Sequence, residues 1–302
     1  MAKIRYPIAK KAIRKTRART PRRPGLSPYQ MLVMDPCNAA PTRAYAGEEG
    51  IVQRFVYDGT INNSVATRTS GCLILAPQRP AQVKSDADTS SATFPVLYDG
   101  NAPGYSFLTT NGAKLRALAA CIQVYAAGAA FSTITGEWAA GVVSCDTLAQ
   151  GSTISVDTLF QISSVRGVIN KEGFEVKWQP GTLDNTYTTT SGTVDGDNNV
   201  VFVAYRGYPA GVGLTFRYTT VLEWTPKIGI GIPTTAVTTS GVNHEQQLAA
   251  LSRVAPGWWH KTASDILEDM SRAGRYVARQ GLAAASQVAV SRINQTFGAL
   301  MV

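Results

Sequence analysis

The sequence predicts an all-β body between a cationic N-terminal arm and a helical C-terminal tail, on three observations. Short runs rich in β-branched and aromatic residues recur between turn-forming residues from Ile51 to Trp224. The first 34 residues contain ten Lys or Arg and no Asp or Glu. After Pro233 the apolar residues recur at helical spacing.

The arm spans residues 1–28. Its basic residues are Lys3, Arg5, Lys10, Lys11, Arg14, Lys15, Arg17, Arg19, Arg22 and Arg23. The whole chain carries 29 basic and 20 acidic side chains, formally +9; without these ten, 19 basic face 20 acidic. The charge excess therefore lies in one segment. A block of like charge repels itself, so the arm should be disordered and extended until a polyanion neutralises it. Each Lys or Arg near a phosphate releases condensed counterions, so the arm fits sequence-independent RNA binding. Tyr6 is the one aromatic residue among them, which argues against base stacking. A solubilising or targeting tail is the plainer alternative.

Pro21, Pro24, Gly25 and Pro28 make a hinge, and Pro36, Pro41 and Gly47 suggest an extended connector over 29–50. The body follows over 51–233 with about eight expected strands. These are Ile51–Tyr57, closed by an Asp58-Gly59 turn, Gly71–Ala76, Leu115–Tyr125, Phe131–Ser144, Val156–Ile162, Phe174–Trp178, Val200–Tyr205 and Leu214–Trp224. Residues 78–112 read mainly as loop. Strands of this length and spacing indicate a sandwich or barrel. The uncharged stretch Ala117–Gly136 could span a bilayer by length, but its β-branched and small residues read as two buried strands.

The tail occupies 234–302. Asn243 can cap a helix through Val254, Pro256-Gly257 breaks it, and Thr262 to Asp265 resembles a capping box. Ile266, Met270, Ala273, Val277, Ala284 and Val288 then form an apolar stripe, with Arg272, Arg275 and Arg279 mostly off it. That helix either packs beneath the body with its arginines toward nucleic acid, or contacts a membrane with Trp258 and Trp259 as interfacial anchors.

Four cysteines, Cys37, Cys72, Cys121 and Cys145, stand at no metal-finger spacing. Free thiols, buried as small hydrophobes, are expected rather than disulfides. The two histidines, His244 and His260, both lie in the tail, so the body lacks a histidine-centred catalytic set and no enzyme is expected. Asp195 and Asp197 are weak candidates for calcium. They lack the spacing of a calcium loop and fit a hairpin turn as well.

The order of arm, hinge, strands and tail resembles a small icosahedral RNA-virus coat protein of the nodavirus type. Cys37-Asn38-Ala39-Ala40-Pro41 followed by Gly50-Ile51-Val52-Gln53-Arg54-Phe55 resembles the start of the nodavirus shell domain. Leu73 to Pro77 resembles a core strand and its turn. Asn199 to Tyr205 and Gly211 to Pro226 are similar to the last two strands. The resemblance implies an eight-stranded single jelly roll whose copies close a shell, most often T=3, around single-stranded RNA. It also implies arm and inner helices on RNA, Ca2+ between subunits in some members, and a virion assembled in the host cytoplasm. The family's self-cleavage transfers badly. No acidic residue stands between Pro41 and Glu48, and Asn294 precedes Gln295 in place of the usual Asn-Ala pair. The competing readings are a jelly-roll carbohydrate-binding module with a basic tail and an enzyme on a β sandwich.

Overall fold

The computed structural model describes residues 27–44, 50–61, 69–78, 81–85, 93–98, 100–101, 104–126, 134–189, 198–227 and 244–272. They form antiparallel sheets with a few short helices. In chain order the elements are α1 (Pro28–Met34), β1 (Ile51–Ile61), β2 (Gly71–Ala76), β3 (Ala81–Ser85), β4 (Thr93–Pro95), β5 (Gly100–Asn101), α2 (Tyr105–Asn111), β6 (Gly112–Tyr125) and β7 (Glu137–Ser144). Then come β8 (Thr153–Ser155), α3 (Val156–Ile162), β9 (Val165–Val168), β10 (Phe174–Lys177), β11 (Thr188–Thr189), β12 (Asn199–Arg206), β13 (Leu214–Pro226) and α4 (His244–Val254). Residues 263–272 form a further helix, α5.

One sheet has the order β1-β13-β6-β10, with β11 also on β6; the second runs β5-β3-β2-β12-β7-β9. Between them lies a core that includes Leu73, Leu75, Ile122, Val201, Phe216, Trp178 and Trp224. The Trp178 indole ties the two sheets by donating to the Asn199 carbonyl at 2.8 Å.

Each sheet is covered on its other face as well. Cys72, Ile74, Val200 and Phe202 pack outward against α3, β8 and the segment holding Val96 and Tyr98. Leu118, Ala119 and Val221 pack outward against α1, α4, Trp258 and Ile266. Burial on both faces explains why β2 reads Gly-Cys-Leu-Ile-Leu-Ala without alternation, since all six residues are buried.

The connector expected to be extended from residue 29 instead begins with a helix. Ser27 caps α1 by accepting from the Gln30 amide, and the Gln30 side chain accepts from the Ser27 amide. This capping box and Pro28 at the first turn outweigh the hinge reading at Pro28, while Pro21, Pro24 and Gly25 lie outside the described residues. Asp58-Gly59 is not a turn, because β1 continues to Ile61 against β13. Gly59 stands opposite Phe216, whose ring would lie 2.6 Å from any Cβ there, so glycine admits the ring. Val156–Ile162 is a helix rather than a strand. Ser155 caps it, Asp157 sits in its first turn, and Val156, Leu159 and Phe160 are buried at helical spacing. β9 takes the edge place in the second sheet. Residues 78–112, read as loop, contribute β3, β4, β5 and α2. Residues 117–125 of the uncharged stretch are strand, and no described helix is long and apolar enough to cross a membrane.

Candidate nucleic-acid interface

The basic arm joins the body at α1, and α1 lies in a helical layer on the outer face of the β1-β13-β6-β10 sheet. Tyr29, Leu32, Val33 and Met34 are buried there. Gln30 Nε2 donates to the Gln247 carbonyl at 3.2 Å, and Ser27 pairs with the Gln247 side chain, joining α1 to α4. The layer continues through Trp258, which is 2% exposed and donates to Ser252 Oγ at 3.2 Å. Gly257 at φ 68° makes this turn feasible, since a Cβ would meet His260 Nε2 at 2.6 Å.

Two fastenings hold residues 35–44 and Gly50 against the same sheet. Cys37 and Cys121 are joined in a disulfide across a sequence separation of 84, with Cα atoms 6.8 Å apart. This overturns the expectation of four free thiols. Cys121 points from the middle of β6 to the outer face, where the chain after α1 passes. Cys72 and Cys145 remain free and buried, as expected. The second fastening is an ion cluster. Glu223 is fully buried, with Oε2 2.8 Å from Arg116 Nη2 and Oε1 3.7 Å from Arg43 Nε. Glu223 Oε1 also accepts from the Gly50 amide at 3.0 Å, and Arg43 Nη2 donates to the Gly50 carbonyl at 2.7 Å. Arg116 lies over the Tyr187 ring at 4.3 Å and donates to the Asn185 carbonyl at 3.3 Å. Only glycine fits at 50, where a Cβ would stand 2.7 Å from the Trp224 carbonyl.

Lys177 is a third buried charge on this face. Its ammonium lies 3.1 Å from Glu175 Oε1 and donates to the Lys261 carbonyl. Burial pulls its pKa below the ordinary lysine value, against the opposing pull of Glu175. Lys261 in turn pairs with Asp269 at 2.7 Å, fastening α5. Burial and then the neighbouring Lys261 charge lower the His260 pKa. Asp184, next to the Asn185 that Arg116 reaches, is buried and pushed up to about 6 by desolvation, despite hydrogen bonds from Gly181, Asn198 and Asn199.

The arm residues Lys3, Arg5, Lys10, Lys11, Arg14, Lys15, Arg17, Arg19, Arg22 and Arg23 lie outside the described residues, as do Arg275, Arg279, Asp195 and Asp197. Arg272 is exposed on α5 and ion-paired with Glu268 at 2.6 Å. Residues 244–272 carry Arg253, Lys261 and Arg272 against Glu245, Asp265, Glu268 and Asp269. The described part of the helical layer is thus mixed in sign, and the cationic character belongs to the arm. Trp258 is buried in the layer and cannot serve as an interfacial anchor, while Trp259 is partly buried. The Thr262 capping box forms, with the Asp265 amide donating to Thr262 Oγ1 at 3.3 Å.

Sequence reasoning missed Glu223, Arg116, Arg43, Lys177 and the Cys37–Cys121 bond. A signal existed for one of them: Glu223 is a charge flanked by Val221, Leu222 and Trp224. Such charges are buried only when paired.

No protein-family model matches the chain, and no curated protein matches it. Solved structures do match. A structure of infectious bursal disease virus, Gx strain, superposes with TM-score 0.56 at 10% identity, covering 82% of this chain and 100% of the other. The VP2 subviral particle of the same virus gives 0.51 at 11% identity over 83% and 99% of the chains. Its T=1 particles give 0.52 at 8% identity over 80% and 95%. At these identities the likeness is one of fold, and that fold is the one used by the subunits of virus particles.

Proposed function

We propose that this chain is the coat protein of a small icosahedral RNA virus, of the nodavirus type, whose copies close a T=3 shell around single-stranded RNA. The eight strands β1, β2, β6, β7, β9, β10, β12 and β13 are read as a single jelly roll. The interlocked orders β1-β13-β6-β10 and β2-β12-β7-β9 support this. The role is structural rather than enzymatic. The likeness to virus-particle subunits favours it over a carbohydrate-binding module.

The carrying observation is where the arm begins. It enters at Ser27, on one outer face of the sandwich, beside α4. Copies packed edge to edge with that face inward would deliver all their arms into one interior. Concentrated arms repel each other, and RNA phosphate relieves that repulsion, so assembly and packaging are coupled. Each contact between copies can be weak, because closed symmetry multiplies it. Calcium between subunits and a membrane contact by the tail belong to this reading as further proposals. Electron microscopy of the purified full-length protein mixed with RNA should show closed particles of one size; uniformly monomeric protein at low salt overturns the reading.

A further inference from the structure

We propose that the Cys37–Cys121 disulfide is a redox latch on the root of the arm: formed, it pins α1 to the sheet, and reduced, it lets α1 and the arm lift away.

Three observations carry this. First, the bond lies between the only described segment that leads into the arm and the middle of a central strand. Cys37 follows α1 by three residues, and Cys121 pairs in register with Thr219 on one side and Lys177 on the other. Second, α1 has seven residues, too short to persist as a helix without its tethers. The next ties to the sheet, Arg54 to the Ala39 carbonyl and the Arg43 cluster, lie two and six residues farther from α1 than Cys37 does, while Ser27 and Gln30 bond to α4 rather than to the sheet. Third, the site suits both redox states. Cys37 is partly exposed and Cys121 is fully buried, so Cys37 is the half of the bond that a small thiol would attack. Thr219 Oγ1 lies 3.5 Å from the Cys37 sulfur and offers a hydrogen-bond partner to the free thiol.

The chemistry balances with ordinary thiols. A reductant thiolate attacks the Cys37 sulfur and forms a mixed disulfide, and Cys121 leaves as thiolate. A second reductant thiol resolves the mixed disulfide. Two protons end on Cys37 and Cys121, and the reductant leaves as its own disulfide. Closing the latch runs in reverse, with oxidised glutathione as the two-electron acceptor. A chain folded in a reducing compartment therefore carries the open latch, and oxidising surroundings close it.

The test uses full-length protein and reads α1 itself. Protein treated with oxidised glutathione should show two reactive thiols on denaturation, Cys72 and Cys145, and a linked Cys37–Cys121 peptide by mass spectrometry. Dithiothreitol should raise the count to four and speed amide exchange over residues 28–34 at least tenfold, with β12 unchanged. Cys37→Ser should exchange at the fast rate with or without reductant, and Cys145→Ser should respond like the parent. Four reactive thiols after oxidation, or identical α1 exchange in both redox states, overturns the latch. The parent protein alone decides this if Cys37→Ser fails to fold. A consequence rests on the packaging reading: reduction should expose bound RNA to nuclease. Opened α1 with RNA still protected supports the latch and counts against the arm as the RNA holder.

Discussion

The two outer faces of the sandwich are closed in opposite ways. On the β2-β12-β7 face the cover comes from connections local to the sheet: α3, the β4–β8 pair and the turn at Cys145 to Leu148. On the β13-β6 face it comes from both ends of the described chain, residues 27–44 and 244–272. A cover drawn from distant segments loses more chain entropy on docking. That face is also where the fastenings accumulate: a disulfide, the Glu223 cluster and the Lys177 and Lys261 pairs. The local cover carries free Cys72 and Cys145 and the Arg206 pairs with Glu137 and Asp157, more than a third exposed. The lesson is that the face bearing the arm is built to be held, and so can be released.

Removing the buried anion should have the largest effect on the distant cover. Glu223→Ala leaves Arg116 buried without its counter-ion and should cost about 3–5 kcal/mol in denaturant unfolding. Adding Arg116→Ala should recover part of that loss. If the double variant is no more stable than the single, the two residues are not coupled.

A matched pair of truncations then compares the covers. Trp258→Ala and Phe160→Ala each empty a buried aromatic site, and each should cost about 3–5 kcal/mol. Hydrogen exchange should separate them. Trp258→Ala should speed exchange in α1 and α4 while β12 stays protected. Phe160→Ala, in the local cover, should speed exchange in α3 and β12 together. Equal exchange changes in both variants would erase the distinction between the faces.

Much of this layout was legible in the chain, and the failures have physical causes. β2 and β12 were readable because burial on both faces leaves near-continuous apolar runs, and β10 and β13 because aromatic and β-branched residues fill them. The Thr262 capping box was readable because caps are local, and α4 because Glu245 in its first turn and the Pro256-Gly257 break bracket it. Val156–Ile162 misled because Val, Leu, Phe and Ile suit strand and helix alike, and tertiary packing with the Ser155 cap decides. The disulfide was invisible because nothing along the sequence brings residue 37 near residue 121; sheet register does. The ion cluster hid for the same reason, with Arg43, Arg116 and Glu223 spread over three segments.

The smallest effect concerns pH. The Asp184 pKa is raised to about 6 in the folded protein, above the ordinary aspartate value near 4. The folded state therefore binds the proton more tightly. Stability from this group is fully present below about pH 4 and is lost as pH rises through about 6, by roughly 3 kcal/mol at most. Asp184→Asn should remove that slope. Unfolding free energies at pH 4 and 7 that differ equally in parent and variant would rule it out.

The division of labour between arm and body can be put to one assay. Particles assembled with single-stranded RNA from the full chain, and from a chain lacking residues 2–23, are treated with nuclease, and the surviving RNA is sized. Full-length RNA should survive only with the complete chain, while both proteins give the same body fold by circular dichroism. Equal protection by the armless protein contradicts the assignment of RNA packaging to the arm.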